Sequence, residues 1–299
     1  MDKEMTSSAK VWLLVATVPP ILSVVHANSW VEILLIGILC VIVCVQNAPT
    51  NIPKWLCVME LLWLIIYAGA ISRESGIWWD DEHSIVPLIV LLMAAYTAQA
   101  GIVRPARIGS VLVWLVLPVL LLVALAGAAD VQWNWLTVKA DMPSGLLGSL
   151  LLVPCVTKFL VQAEGQGKKW LPVTITLTAM IATLLLNGTV GDGKDFYEFS
   201  KGITLFGVAE RFEALVGCVM TMGWFVLLSV IFSAVFYLSE IILPGAAKKI
   251  VWVCAGGSML CMWILPKGDG WLLIGTLIFW GLLPLLTQGL VGTKKVEKK

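Results

Sequence analysis

The sequence predicts an all-α polytopic membrane protein, with ten transmembrane helices in a single transmembrane domain arranged as a 5+5 inverted repeat. Three observations point there. The 299 residues are 59% hydrophobic and only 13% charged, with a mean hydropathy of +0.93; soluble domains carry about 25% charged residues. Ten apolar runs follow one another, most close to the ~20 residues that span a bilayer's hydrocarbon. Lysine and arginine fall mostly in alternate connections between those runs, as the positive-inside rule requires.

The runs lie at about 11–26, 29–46, 55–71, 84–100, 108–129, 144–162, 170–188, 213–241, 249–265 and 270–290. The interruptions carry turn chemistry: "NAPTNIPK", "SRESGIWWDDEHS", "GIVRPARIG", "AEGQGKK", "GTVGDGKD", "PGAAKK" and "PKGDG". With the N-terminus in the cytoplasm, the inner segments hold Lys3, Lys10, Lys54, Arg104, Arg107, Lys168, Lys169, Lys248, Lys249, Lys294, Lys295, Lys298 and Lys299. The outer ones hold Arg73, Lys139, Lys194, Lys201 and Lys267. This bias predicts cytoplasmic N- and C-termini and an even number of spans. The polar start "MDKEMTSSAK" leads into a long span with no small-residue cleavage site behind it, so no cleavable signal peptide is expected.

An odd number of helices per half inverts the second half relative to the first, giving repeats at about 10–129 and 142–290. Each lead helix is interrupted. The first reads "WLLVATVPPILSVV", where Pro19 and Pro20 remove amide donors. The sixth reads "PSGLLGSLLLVPCVTKFL", with Gly145, Gly148, Ser149 and Pro154. Matching interruptions in two halves either mark a ligand site at mid-membrane or are ordinary proline kinks of membrane helices. The candidate ligand-binding residues are therefore Thr17, Val18, Pro19, Gly145, Gly148 and Ser149, together with Glu60.

Glu60, in "KWLCVMELLWLIIYAGA", lies ~9 Å deeper than Lys54 at 1.5 Å per residue. A carboxylate at the centre of a membrane helix costs about 2.5–3.5 kcal/mol on insertion scales. It is expected to face the bundle, either as a proton-coupling or cation-facing group or as a carboxyl hydrogen-bonded to a neighbouring helix. Glu32, Lys158, Asp130 and Glu240 sit near interfaces, where water is within reach. Thr174 and Thr178 share a face of the seventh run and suit helix–helix contact. Glu210, Arg211 and Glu213 stand at the mouth of 26 uncharged residues, 214–239. They are read as an outer-interface charge cluster that fixes where this helix meets the membrane, or as part of a ligand site, with Glu213 the member that would reach inward.

Several classes are excluded or disfavoured. Net charge is +1, which argues against nucleic acid as a partner. Two histidines and seven cysteines inside apolar runs make neither a metal site nor a disulfide framework. No HExxH, P-loop or GxSxG motif is present, so neither an enzyme nor a cofactor is expected.

Three segments carry a resemblance. "LFGVAERFEALVGCVMTMGWF" resembles the eighth helix of the spore germination permeases, the B subunits of nutrient germinant receptors. There an Arg-apolar-acidic-Ala pattern (here Arg211, Phe212, Glu213 and Ala214) precedes a Trp-containing span (here Trp224). "AAYTAQAGIVRPARIGSVLVWLVLPVLLLVAL" resembles the junction of that family's fourth and fifth helices, with Gly101, Arg107 and Pro118. "ANSWVEILL" is similar to the family's start of helix 2, with Ser29 and Trp30. The chain departs from the family in its short loops and in "TVPPIL", where a Gly-containing break is usual.

The resemblance implies the amino acid–polyamine–organocation superfamily and a LeuT-like fold. It also implies a transporter-like sensor in the spore inner membrane that binds an amino acid or another small nutrient and works with A and C subunits. Two other readings stand beside it: a proton-coupled secondary transporter of amino acids or amines, and a scaffold subunit without ligand binding.

Overall fold

The computed structural model describes residues 54–75, 85–128 and 212–265, together with Ala16, Gly275, Ile278, Phe279 and Leu283. The described segments form five α-helices: α1 (Lys54–Glu74), α2 (Ile85–Ala98), α3 (Val103–Ala128), α4 (Phe212–Ile242) and α5 (Ala247–Ile264). Three of them, α1, α4 and α5, are long and apolar enough to cross a membrane. The ends follow the apolar runs to within a few residues, with one informative exception. The third helix begins at Val103, before the expected 108, because Arg104, Pro105 and Arg107 continue the helix beyond its apolar part. Arginine is a good helix former, and proline is tolerated in a first turn, where amide donors have no intrahelical partner.

Two tight turns join neighbours. Between α4 and α5, Pro244 lacks an amide hydrogen and cannot continue the helix. Gly245 then takes φ +85°, and the Ala246 amide donates to the Leu243 carbonyl at 3.2 Å. Between α2 and α3, Gly101 takes φ +74° and its amide donates to the Ala98 carbonyl at 2.9 Å. Both glycines occupy the left-handed region, which costs a residue with a Cβ about 1–2 kcal/mol.

α4 is the central helix and packs on α1, α2, α3 and α5. Residues 226–233 are buried without a gap, more than two full turns, so this stretch is enclosed on every side. α2 shows the complementary pattern. Ile85, Ile89, Met93 and Tyr96 form an exposed stripe, while Val90, Leu91, Ala94, Ala95 and Ala98 are buried in the core that α4 also enters. The small alanines permit close approach of the backbones.

α1 and α5 pack against each other in parallel. The Ser258 hydroxyl donates to the Ile65 carbonyl at 3.0 Å across a sequence separation of 193. Further along, Arg73 donates to the Leu265 carbonyl at 3.0 Å across a separation of 192. A parallel pair keeps this separation nearly constant; in an antiparallel pair it would shift by two for each residue advanced. Between the two bonds the backbones nearly touch. A methyl added at Gly69 would lie 2.6 Å from the Ser258 carbonyl oxygen and 2.7 Å from the Cys261 Cβ.

Gly69→Ala should therefore push α1 and α5 apart and cost about 1–3 kcal/mol, as overpacking does. Gly245→Ala, with open space around it but a positive φ, should cost less. Gly256→Ala, in open space on an ordinary helical backbone, should be neutral or slightly stabilising. Thermal unfolding of the detergent-solubilised variants checks this order; a Gly69→Ala protein as stable as Gly256→Ala would contradict the close contact.

Candidate functional site

The inward face of α1 gathers the polar groups that hydrocarbon tolerates least. Glu60 is half-buried in the second turn. Leu56 and Cys57, one turn before it, are buried, and so are Trp63, Leu64 and Tyr67 after it. These positions, i−4, i−3, i+3, i+4 and i+7, share one side of a helix with Glu60. Lys54, Trp55, Val58, Met59 and Leu62 take the exposed side. Glu60 thus sits on the side of α1 that faces the bundle.

Trp63 lies one turn beyond Glu60. Its ring stacks on Phe279, with centroids 5.2 Å apart and planes at 3°, and tilts against Tyr67 at 6.2 Å. Gly275 lies directly against the same ring, where any side chain would collide with it. The indole is thus wedged among aromatic and glycine surfaces and is only 5% exposed. Its Nε1–H has no acceptor among the described residues. A buried donor left in this state costs about 1–3 kcal/mol.

Most other buried hydroxyls satisfy themselves. Ser72, Ser229, Ser233 and Ser239 each donate to the carbonyl four residues back, at 2.7 Å, and Thr97 does so at 2.8 Å. This back-bonding is how Ser and Thr settle inside a helix. It consumes their only donor, whereas the Gln99 Nε2, like the Trp63 indole, has no partner among the described residues. The Nε1–H of Trp224, 1% exposed, also lacks an acceptor among the described residues. It belongs elsewhere. Trp63 lies ~13 Å along α1 from Lys54, whereas Trp224 lies ~27 Å along α4 from the α4–α5 turn, at 1.5 Å per residue. With α1 and α5 parallel and in register, that turn and Lys54 mark the same end of the bundle, so the two indoles sit at different depths.

Of the residues predicted for the site, Glu60 has a described position and side chain. Thr17, Val18, Pro19, Gly145, Gly148 and Ser149 lie outside the described residues, as do Glu210 and Arg211. Glu213 falls in the first turn of α4, with its side chain outside the described part. Ala16, next to the predicted break of the first run, is fully buried in the same apolar cluster as Cys57, Trp63 and Tyr67. Trp63 was not among the residues predicted from sequence. A tryptophan one turn from an intramembrane carboxylate was a usable signal, but its isolated N–H emerges only once its neighbours are known.

The face places the Glu60 carboxyl, an indole N–H with no acceptor among the described residues and a stacked aromatic pair within about two helical turns. This combination suits a small molecule that carries a positive charge or acidic proton beside a hydrogen-bond acceptor. No protein-family model and no curated protein sequence matches the chain.

Trp63→Phe preserves an aromatic ring and deletes only the N–H. If that donor serves a ligand, the variant should fold as well as the parent or better and bind about tenfold more weakly, the equivalent of one ordinary hydrogen bond. Isothermal binding of small cationic and amino-acid-like compounds to both proteins reads this out; equal affinity would remove Trp63 from the site.

Proposed function

We propose that this chain is a transporter-like membrane subunit of a spore nutrient germinant receptor. In this reading it senses a small nutrient such as an amino acid at the Glu60–Trp63 face, together with A and C partner subunits. The observation that carries the site is the half-buried Glu60 on the inward side of α1, one turn from a buried indole with no acceptor among the described residues. The resemblance of "LFGVAERFEALVGCVMTMGWF" and its two companion segments supplies the receptor class.

Topology supports the same reading. Two parallel membrane helices must be separated by an odd number of crossings. The ten-span scheme places five runs between α1 and α5: those of α2, α3 and α4, and the two at 144–162 and 170–188. In that scheme Lys54 and the α4–α5 turn are cytoplasmic, and residues 1–299 form one inverted-repeat domain. A single cysteine introduced at Gly245 should react with a membrane-impermeant maleimide from the cytoplasmic side, and one at Asp192 from the other side. Labelling of both from the same side would overturn the ten-span topology.

The second reading, a proton-coupled transporter of amino acids or amines, is favoured by the same Glu60, since a carboxyl held partly out of water on a bundle-facing surface can exchange a proton with a passing substrate. Glu60→Gln separates these roles from a purely structural one. As a coupling group, Gln should abolish the pH dependence of uptake in proteoliposomes while the protein still inserts. As a ligand contact in a sensor, Gln should weaken the response to nutrient without any uptake being measurable in the parent. If Glu60 only ties helices together, Gln should leave both unchanged and Glu60→Leu should lower the yield of folded protein.

A further inference from the structure

The described bundle is electrically lopsided along its length. Lys54 opens α1, and Lys248 and Lys249 open α5; the parallel packing of these helices brings all three to one end. Arg104 and Arg107 join them if α2 returns against α1. The connection from α1 to α2 contains Asp80, Asp81 and Glu82, which cannot be drawn through hydrocarbon. α2 therefore starts on the side where α1 ends, and the α2–α3 turn reaches the end marked by Lys54.

All five cations are exposed. Among the described residues, the carboxyl groups in that half are those of Glu60 and Glu240, two half-buried side chains against five exposed cations. The first turns of α1, α3 and α5 contain no acidic residue. The helix macrodipole makes these positions unfavourable for cations. No acidic side chain in those first turns compensates them, and an external anion would do so. Exposed Trp55, Tyr96, Tyr237 and Trp252 ring the same end within about two turns. Aromatic side chains of this kind settle at the headgroup level of a bilayer.

We propose that this end is a docking surface for anionic phospholipid, with Lys54, Lys248 and Lys249 holding the headgroup phosphate where α1 and α5 meet and Arg104 and Arg107 extending the surface. The aromatic ring decides between sources of phosphate: a free anion has no use for Trp and Tyr at the hydrocarbon boundary, whereas a lipid needs both the cations and that ring. A bound lipid would bridge α1 and α5, which belong to opposite halves of the chain and are 193 residues apart at their contact.

The test uses the full chain in nanodiscs and in detergent doped with phosphatidylglycerol or phosphatidylcholine, read by native mass spectrometry and thermal unfolding. Phosphatidylglycerol should be retained selectively and should raise the unfolding temperature. Each lysine near an anionic surface contributes about a fivefold factor. Lys54→Gln/Lys248→Gln/Lys249→Gln should therefore lower the preference on the order of a hundredfold. In the parent alone, which keeps the test available should the triple variant fail to fold, the preference should fall as salt rises. Equal retention of the two lipids, a preference unaffected by salt, or a folded triple variant with parental selectivity would overturn the proposal. Stabilisation by inorganic phosphate equal to that by phosphatidylglycerol would assign the site to a free anion and overturn it as well.

Discussion

Close contact between α1 and α5 at Gly69 is the constraint on which the described bundle depends. Within hydrocarbon there is no gain from hiding apolar surface, because lipid tails are as apolar as leucine. Helices associate there through dense packing and the few hydrogen bonds they can share. Gly69 permits the approach, Ser258 and Cys261 fill the space that the missing side chain leaves, and the Ser258 and Arg73 bonds fasten the pair on either side of it. A larger residue at Gly69 would relax all of these at once, since the atoms in its way include backbone.

The parallel sense of that pair orders the rest. α4 runs back along α5 from a four-residue turn and fills the centre of the bundle. Its serines are spent on its own carbonyls, so its fit to α1, α2 and α3 rests on shape: alanines on α2 where the backbones come close, and Trp224, Phe232 and Tyr67 where space must be filled. The Ser258–Ile65 and Arg73–Leu265 hydrogen bonds add polar contacts along the α1–α5 seam.

Polar groups are distributed unevenly among the described residues. Glu60 and the Trp63 N–H collect on the bundle-facing side of α1, at about the depth of one to three helical turns from Lys54. Five exposed cations, Lys54, Arg104, Arg107, Lys248 and Lys249, stand near the starts of α1, α3 and α5. A carboxylate that exchanges protons or binds a cation and a surface that binds anions would thus lie on the same half of the molecule, with the anchoring surface at its edge and the candidate site further in.

The sequence by itself determined the five described helices and their approximate ends, because an apolar run of about 20 residues has one stable backbone solution in lipid, and because Pro244 and the glycines at 101 and 245 mark the turns. It also singled out Glu60, since the cost of a carboxylate in hydrocarbon does not depend on what surrounds it until a partner is found. The start of α3 was displaced because the edge of an apolar run reports where lipid ends and not where a helix ends. The pairing of α1 with α5, the role of Gly69 and the isolation of the Trp63 donor were decided only by tertiary structure. Each is a relation between residues far apart in the chain, Gly69 with Ser258 and Trp63 with Gly275 and Phe279. Periodicity and composition describe one helix at a time, and they carry no information about which backbone will pass within 3 Å of a glycine.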